Sequence, residues 1–67
     1  MNHHLIIVTR NNTCVWNEHG HTLDTVDFGT VLLSVGSIVT GFSSYVEVVY
    51  QGSVCTVHLS RTAKLDV

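Results

Sequence analysis

Residues 45–59 read Tyr45-Val46-Glu47-Val48-Val49-Tyr50-Gln51-Gly52-Ser53-Val54-Cys55-Thr56-Val57-His58-Leu59. Two β-branched runs flank a two-residue Gln51-Gly52 break, the pattern of a β-hairpin in which glycine supplies a positive φ. Alternation along each strand assigns the faces. Val46, Val48 and Tyr50 point one way; Tyr45, Glu47, Val49 and Gln51 point the other. On the return strand Cys55, Val57 and Leu59 oppose Val54, Thr56 and His58. The expected core side is Val46, Val48, Cys55, Val57 and Leu59. The outer side is then an apolar strip of Tyr45, Val49 and Val54 rimmed by Glu47 and His58.

Working outward, the hairpin is preceded by a turn at Gly41-Phe42-Ser43-Ser44. Before it, Thr30 to Val35 and Ile38 to Thr40 read as strands separated by a break at Gly36-Ser37. Leu5 to Thr9 is a short apolar run suited to a strand buried on both faces. Arg10-Asn11-Asn12 breaks it, since Asn favours turns and tolerates the left-handed region. Thr13 to Trp16 reads as a strand, Asn17 to His21 as a polar loop, and Thr22 to Phe28 as a partly alternating segment. After the hairpin, Ser60 to Lys64 can hold one tight helical turn, and Leu65 to Val67 a last short strand.

Composition supports strands almost throughout. Val, Ile and Thr number 23, against one Ala, one Lys, one Gln and two Glu. Branched side chains pack well on a pleated surface, and the strong helix formers are nearly missing. A chain of 67 residues is one domain. It has no proline, no low-complexity stretch and no internal repeat. Frequent strands with glycine turns in so short a chain predict an all-β fold, a small, strongly bent barrel of about five or six strands. A domain this size buries only about 60% of its unfolded surface, so a partner would add stability.

The segment from Val35 to Leu65 resembles the bacterial SH3-like (SH3b) domains. The resemblance lies in Val35-Gly36-Ser37-Ile38-Val39, in Tyr45 to Gly52, in Val54-Cys55-Thr56-Val57-His58 and in Leu65. It covers about half the chain and uses common strand chemistry. Cys55 stands where the family usually has glycine, and Tyr45 where it usually has tryptophan. The family's asparagine-valine-arginine motif has no counterpart; Cys14-Val15-Trp16-Asn17 occupies that region. The resemblance implies the fold more than a ligand, because such barrels host peptide, cell-wall, nucleic-acid and protein partners.

Net charge is −2, with Arg10, Arg61 and Lys64 as the only cations besides histidine. Three cations cannot form the basic stripe that phosphate binding needs, so no nucleic-acid partner is expected. Nor is an anionic membrane surface. The apolar runs fall far short of the roughly 20 residues that span a bilayer. No signal-like h-region is visible; a signal removed beforehand would leave no trace. A cytoplasmic location is expected, that of the host if the source is a phage, whose accessory genomes use tiny domains as inhibitors or assembly factors. Without an oxidising compartment Cys14 and Cys55 read as two buried thiols rather than a disulfide.

Cys14, His19, His21, Cys55 and His58 are ligand types that zinc prefers, but their spacing is not a standard zinc pattern and strand parity separates residues 55 and 58. No metal or other cofactor is expected. Cys14 with His19 or His21 and Asp24 can be sketched as a nucleophile and base, but nothing in the spacing enforces it, and a chain this short has little room for a large pocket. Asp24 and Asp27 read as turn formers. No catalytic residue is expected. Trp16 serves either the core or a partner. Phe42, at a turn tip, is either folded back as a plug or offered outward.

The function expected is a non-catalytic protein-interaction module with a protein partner or self-association. Its surface is Tyr45, Glu47, Val49, Val54 and His58, extended by Phe42. The alternatives are an SH3b-like cell-wall or peptide-ligand module, and a fold in which the N-terminal third covers the strip as core.

Overall fold

A computed structural model describes residues 3–65. The chain forms β1 (His4–Val8), β2 (Thr13–Trp16), β3 (Thr22–Val26), β4 (Val31–Val39), β5 (Ser44–Tyr50) and β6 (Ser53–His58), then a single 3₁₀ turn at Leu59–Arg61 and β7 (Thr62–Lys64). All seven strands join one antiparallel sheet in the order β3-β2-β6-β5-β4-β1-β7. The sheet is not closed: β3 and β7 are its edges. It curls around one core on its inner face, made of Ile6, Val8, Val15, Val26, Leu32, Val46, Val48, Cys55 and Val57.

The expected all-β class holds, with seven strands where five or six were expected. The hairpin has the expected register, from Tyr45 opposite His58 to Tyr50 opposite Ser53. Gln51 and Gly52 both have positive φ, 51° and 80°, the geometry of a two-residue type I′ turn. Val46, Val48, Cys55 and Val57 are buried as parity demands, but Leu59 is 49% exposed. The 3₁₀ turn begins at Leu59 and ends the alternation that would have turned its side chain inward.

Three further differences lie in β4, β1 and β7. Gly36-Ser37 does not divide a strand; β4 runs through it, because Val35 is absorbed as a bulge between the pairs Ser34–Val48 and Gly36–Glu47. β1 buries Ile6 and Val8 but not Leu5, so it is covered on one face and not both. β7 forms at Thr62–Lys64, earlier than the expected strand at Leu65–Val67, whose last two residues lie outside the described ones.

The loops are held by the side chains their composition promised. Asn12 takes a left-handed conformation at φ 55°. Its N–H donates to Asp27, while Asn11 accepts from the Phe28 N–H, tying the β1–β2 turn to the β3–β4 turn. Tyr50, packed against the core, donates its hydroxyl to Asp24 on β3 at 2.5 Å. This bond spans from β5 to the outer strand β3, across the curl of the sheet.

Candidate binding groove

An open groove of about 640 Å³ lies over the outer face of the hairpin. Its floor is Tyr45, Glu47, Val54 and Thr56, one side chain face of β5 and β6. One wall is the β2–β3 loop with Trp16, Asn17, Glu18 and Gly20; the other is Ile38 and Thr40 at the end of β4. The expectation that so short a chain lacks room for a concavity of this size is corrected: the loops at both sides add depth that the sheet alone lacks.

Each wall is fixed by a local network. Asn17 Oδ1 accepts from the N–H groups of His19 and His21, both at 2.9 Å, and the Asn17 N–H donates to the His21 carbonyl at 2.8 Å. This folds the loop back on itself, next to Trp16, which its pairing with Thr56 on β6 sets on the groove side. Thr40 Oγ1 donates to the Ser43 carbonyl and accepts from the Ser43 N–H, both at 2.9 Å, which closes the β4–β5 turn.

The rings form a chain. Trp16 meets Tyr45 edge to face, with centroids 5.8 Å apart and planes at 84°. Tyr45 meets His58 at 5.2 Å and 73°. His58 Nδ1 accepts the Ser60 N–H at 3.2 Å, which places the proton of its neutral ring on Nε2. These are favourable aromatic geometries, and they seat Tyr45 between two fixed rings.

Charge in the groove is of one sign. Glu18 is highly exposed and lies 3.5 Å from His19. Glu47 is half-buried and has no hydrogen-bond or ion-pair partner among the described residues. Arg10, Arg61 and Lys64 do not line the groove.

The six expected contact residues divide among four places. Tyr45, Glu47 and Val54 line the groove, and His58 stands behind Tyr45. Val49 faces outward on the same side of β5 but beyond the groove. Phe42 is fully exposed at the tip of the β4–β5 turn and is not folded back. The alternative in which the N-terminal third covers the strip is realised at one end alone, where Trp16 lies against Tyr45; Val49 and Val54 stay exposed. Sequence reasoning missed Ile38, Glu18 and Thr40, and left Trp16 open.

The other chemical sketches do not assemble. Cys14 is half-buried on β2, not buried as expected, and Cys55 is in the core; both are free thiols. His19 and His21 are exposed loop residues. Asp24 serves Tyr50 and the Thr25 N–H, and Asp27 serves Asn12. Among the described residues no three His, Cys, Asp or Glu side chains gather as a metal site, and no helix is long and apolar enough to cross a membrane. No protein-family model matches the chain, and no curated protein or solved structure resembles it at a significant level.

Proposed function

We propose that this chain is a non-catalytic protein-interaction module whose groove receives an extended segment of a partner protein bearing Lys or Arg. The observation that carries this is Glu47. Its carboxylate is engaged by no other described group and stays open to solvent, so an incoming cation can pair with it without displacing an existing contact, and it shares the groove with two aromatic rings that attract cations in their own right. A basic side chain on the incoming segment satisfies both, while Ile38 and Val54 offer apolar contact to its neighbours.

The architecture we infer is an SH3-like barrel, left partly open. Support comes from β1 pairing with both β4 and β7, from consecutive pairing of β4, β5 and β6, and from the 3₁₀ turn directly before the short last strand. A second reading follows from that fold and the aromatic pair: an SH3b-like module that takes a cell-wall peptide or glycan in the same groove.

Trp16 is the sole tryptophan and reports on the groove directly. Titration with an extended Arg-Ala repeat peptide should change its fluorescence saturably, and Glu47→Gln should abolish the response. A response to peptidoglycan fragments but not to the peptide favours the second reading. No response to either, with the fold intact, overturns both.

A further inference from the structure

Trp16 also borders a second cavity, of about 330 Å³, whose lining includes Asn12, Cys14, His58, Ser60 and Arg61. The pairing of Trp16 with Thr56 sets Cys14 level with His58 on the adjacent strand. Val15 and Val57 are buried, so alternation turns Cys14 and His58 to the outer face. The chain then tightens into the 3₁₀ turn, which ends at Arg61. The Arg61 carbonyl accepts the Thr9 N–H at 2.8 Å, which fixes the backbone from which the guanidinium stem starts.

The lining suits an acceptor. Arg61 is half-buried, and its guanidinium is engaged by no other described group. It stays partly open to solvent, so an incoming anion pairs with it without displacing an existing contact. His58 Nδ1 accepts the Ser60 N–H and lies 2.7 Å from the Ser60 hydroxyl, so Nε2 carries the proton of the neutral ring and can donate it. The Asn12 side-chain amide supplies further N–H groups. No carboxylate among the described residues lines the cavity. Asp27, whose carboxylate accepts the Asn12 backbone N–H at 3.0 Å, stands outside it.

We propose that this cavity binds the carboxylate of an organic monoanion, paired with Arg61 and flanked by the neutral donors of His58 and Asn12, with the body of the ligand against Trp16 and the Cys14 thiol. Charge selects a carboxylate. Arg61 is the sole full charge in the lining and matches one negative charge. A phosphate monoester carries about −1.5 to −2 charges at neutral pH, and part of that would stay uncompensated in a chain whose net charge is already −2. Shape agrees, because a planar guanidinium takes both oxygens of a carboxylate side by side. The volume lies at the small end of the range for ligand pockets and leaves room for more than the carboxylate.

Two sources carry such a group, a free small acid and the C-terminus of a protein chain. Titration of the full chain by nuclear magnetic resonance, with benzoate and with an N-acetylated Ala-Phe dipeptide acid, separates them. Saturable shifts at Cys14, His58 and Arg61 are expected. Benzoate binding as tightly as the dipeptide supports a free acid, and dipeptide binding alone supports a chain terminus. Benzamide and the amidated dipeptide should bind at least about tenfold more weakly, through loss of the charge-assisted pair. Arg61→Gln should weaken both acids to the same degree with unchanged circular dichroism; if that variant does not fold, the acid and amide comparison in the parent decides. The cavity and the groove share Trp16 alone, so Glu47→Gln should leave acid binding unchanged, and either site can fail without the other. The proposal falls if neither acid binds, if the amides bind as tightly as the acids, if folded Arg61→Gln binds like the parent, or if inorganic phosphate binds more tightly than either acid.

Discussion

Glu47 lays its carboxylate across the bare α-carbon of Gly36: a methyl group there would stand 2.6 Å from Glu47 Oε1. The bulge at Val35 creates this relationship by bringing Gly36, and not a larger residue, opposite Glu47. The carboxylate is thereby held low over β4, in the groove and beside Tyr45.

Gly36→Ala should therefore move the carboxylate without breaking the fold. The obstructing atom is the end of a flexible side chain, and Gly36 does not have a positive φ. Removing glycine from a strand gains up to about 1 kcal/mol through the unfolded chain, which offsets the local adjustment. The melting temperature should change little, while affinity for the Arg-Ala peptide drops several-fold. A variant that binds as tightly as the parent would show that the carboxylate's seat is irrelevant.

The two neighbouring valines of β5 should respond in opposite ways to the same change. Val48 is fully buried among Val46, Cys55 and Val57, whereas Val49 faces outward. An unpaired charge at Val48 costs several kcal/mol, comparable with the whole stability of a small domain. Val48→Asp should be unfolded by circular dichroism and Val49→Asp folded. The reverse result would invert every face assignment along the hairpin.

How much of this was legible depends on where the alternation ran unbroken. Between Tyr45 and Val57 each residue's face follows from parity, so the core valines and the groove floor could be read directly. Elsewhere features outside the local alternation hid the outcome. The bulge at Val35 shifts the second half of β4, so nothing local to Ile38 announces it as a groove wall. Leu59 reads as the next inward residue until the chain tightens into a 3₁₀ turn. The exposure of Leu5 depends on which side of β1 the sheet curls toward, a property of the whole sheet. Trp16 is placed by its pairing with Thr56 on β6, a long-range contact that its own segment does not announce.

The hairpin turn leaves room for improvement. Gln51 is left-handed at φ 51°, a conformation that costs an ordinary L-residue on the order of 1 kcal/mol and Asn much less. Gln51→Asn gives the Asn-Gly pair that type I′ turns prefer. It should stabilise the domain by about 0.5–1 kcal/mol, raising the melting temperature by a few degrees. A lower melting temperature would mean that Gln51 makes a contribution beyond its backbone.

The bond from Tyr50 to Asp24 should shape the pH dependence of stability at both ends. Tyr50 is the main cause that holds the Asp24 carboxyl below its ordinary value of 3.8, with the Thr25 N–H acting in the same direction. A depressed carboxyl stabilises the fold above its unfolded value and loses that contribution as pH falls through the folded one. The same bond pushes the Tyr50 phenol above its ordinary value of 10.0. A raised phenol stabilises the fold below 10.0 and loses the contribution as pH rises through its higher folded value. Tyr50→Phe keeps the ring against the core and removes the bond. The melting temperature should fall at neutral pH. The remaining dependence on the acid side should be shallower, because Asp24 then keeps only the Thr25 contact. The alkaline limb due to this phenol should vanish. Carbon-detected titration of Asp24 in parent and variant separates this from a general loss of packing: its pKa should rise toward the ordinary value in Tyr50→Phe, and an unchanged titration would show that the bond does not persist in solution.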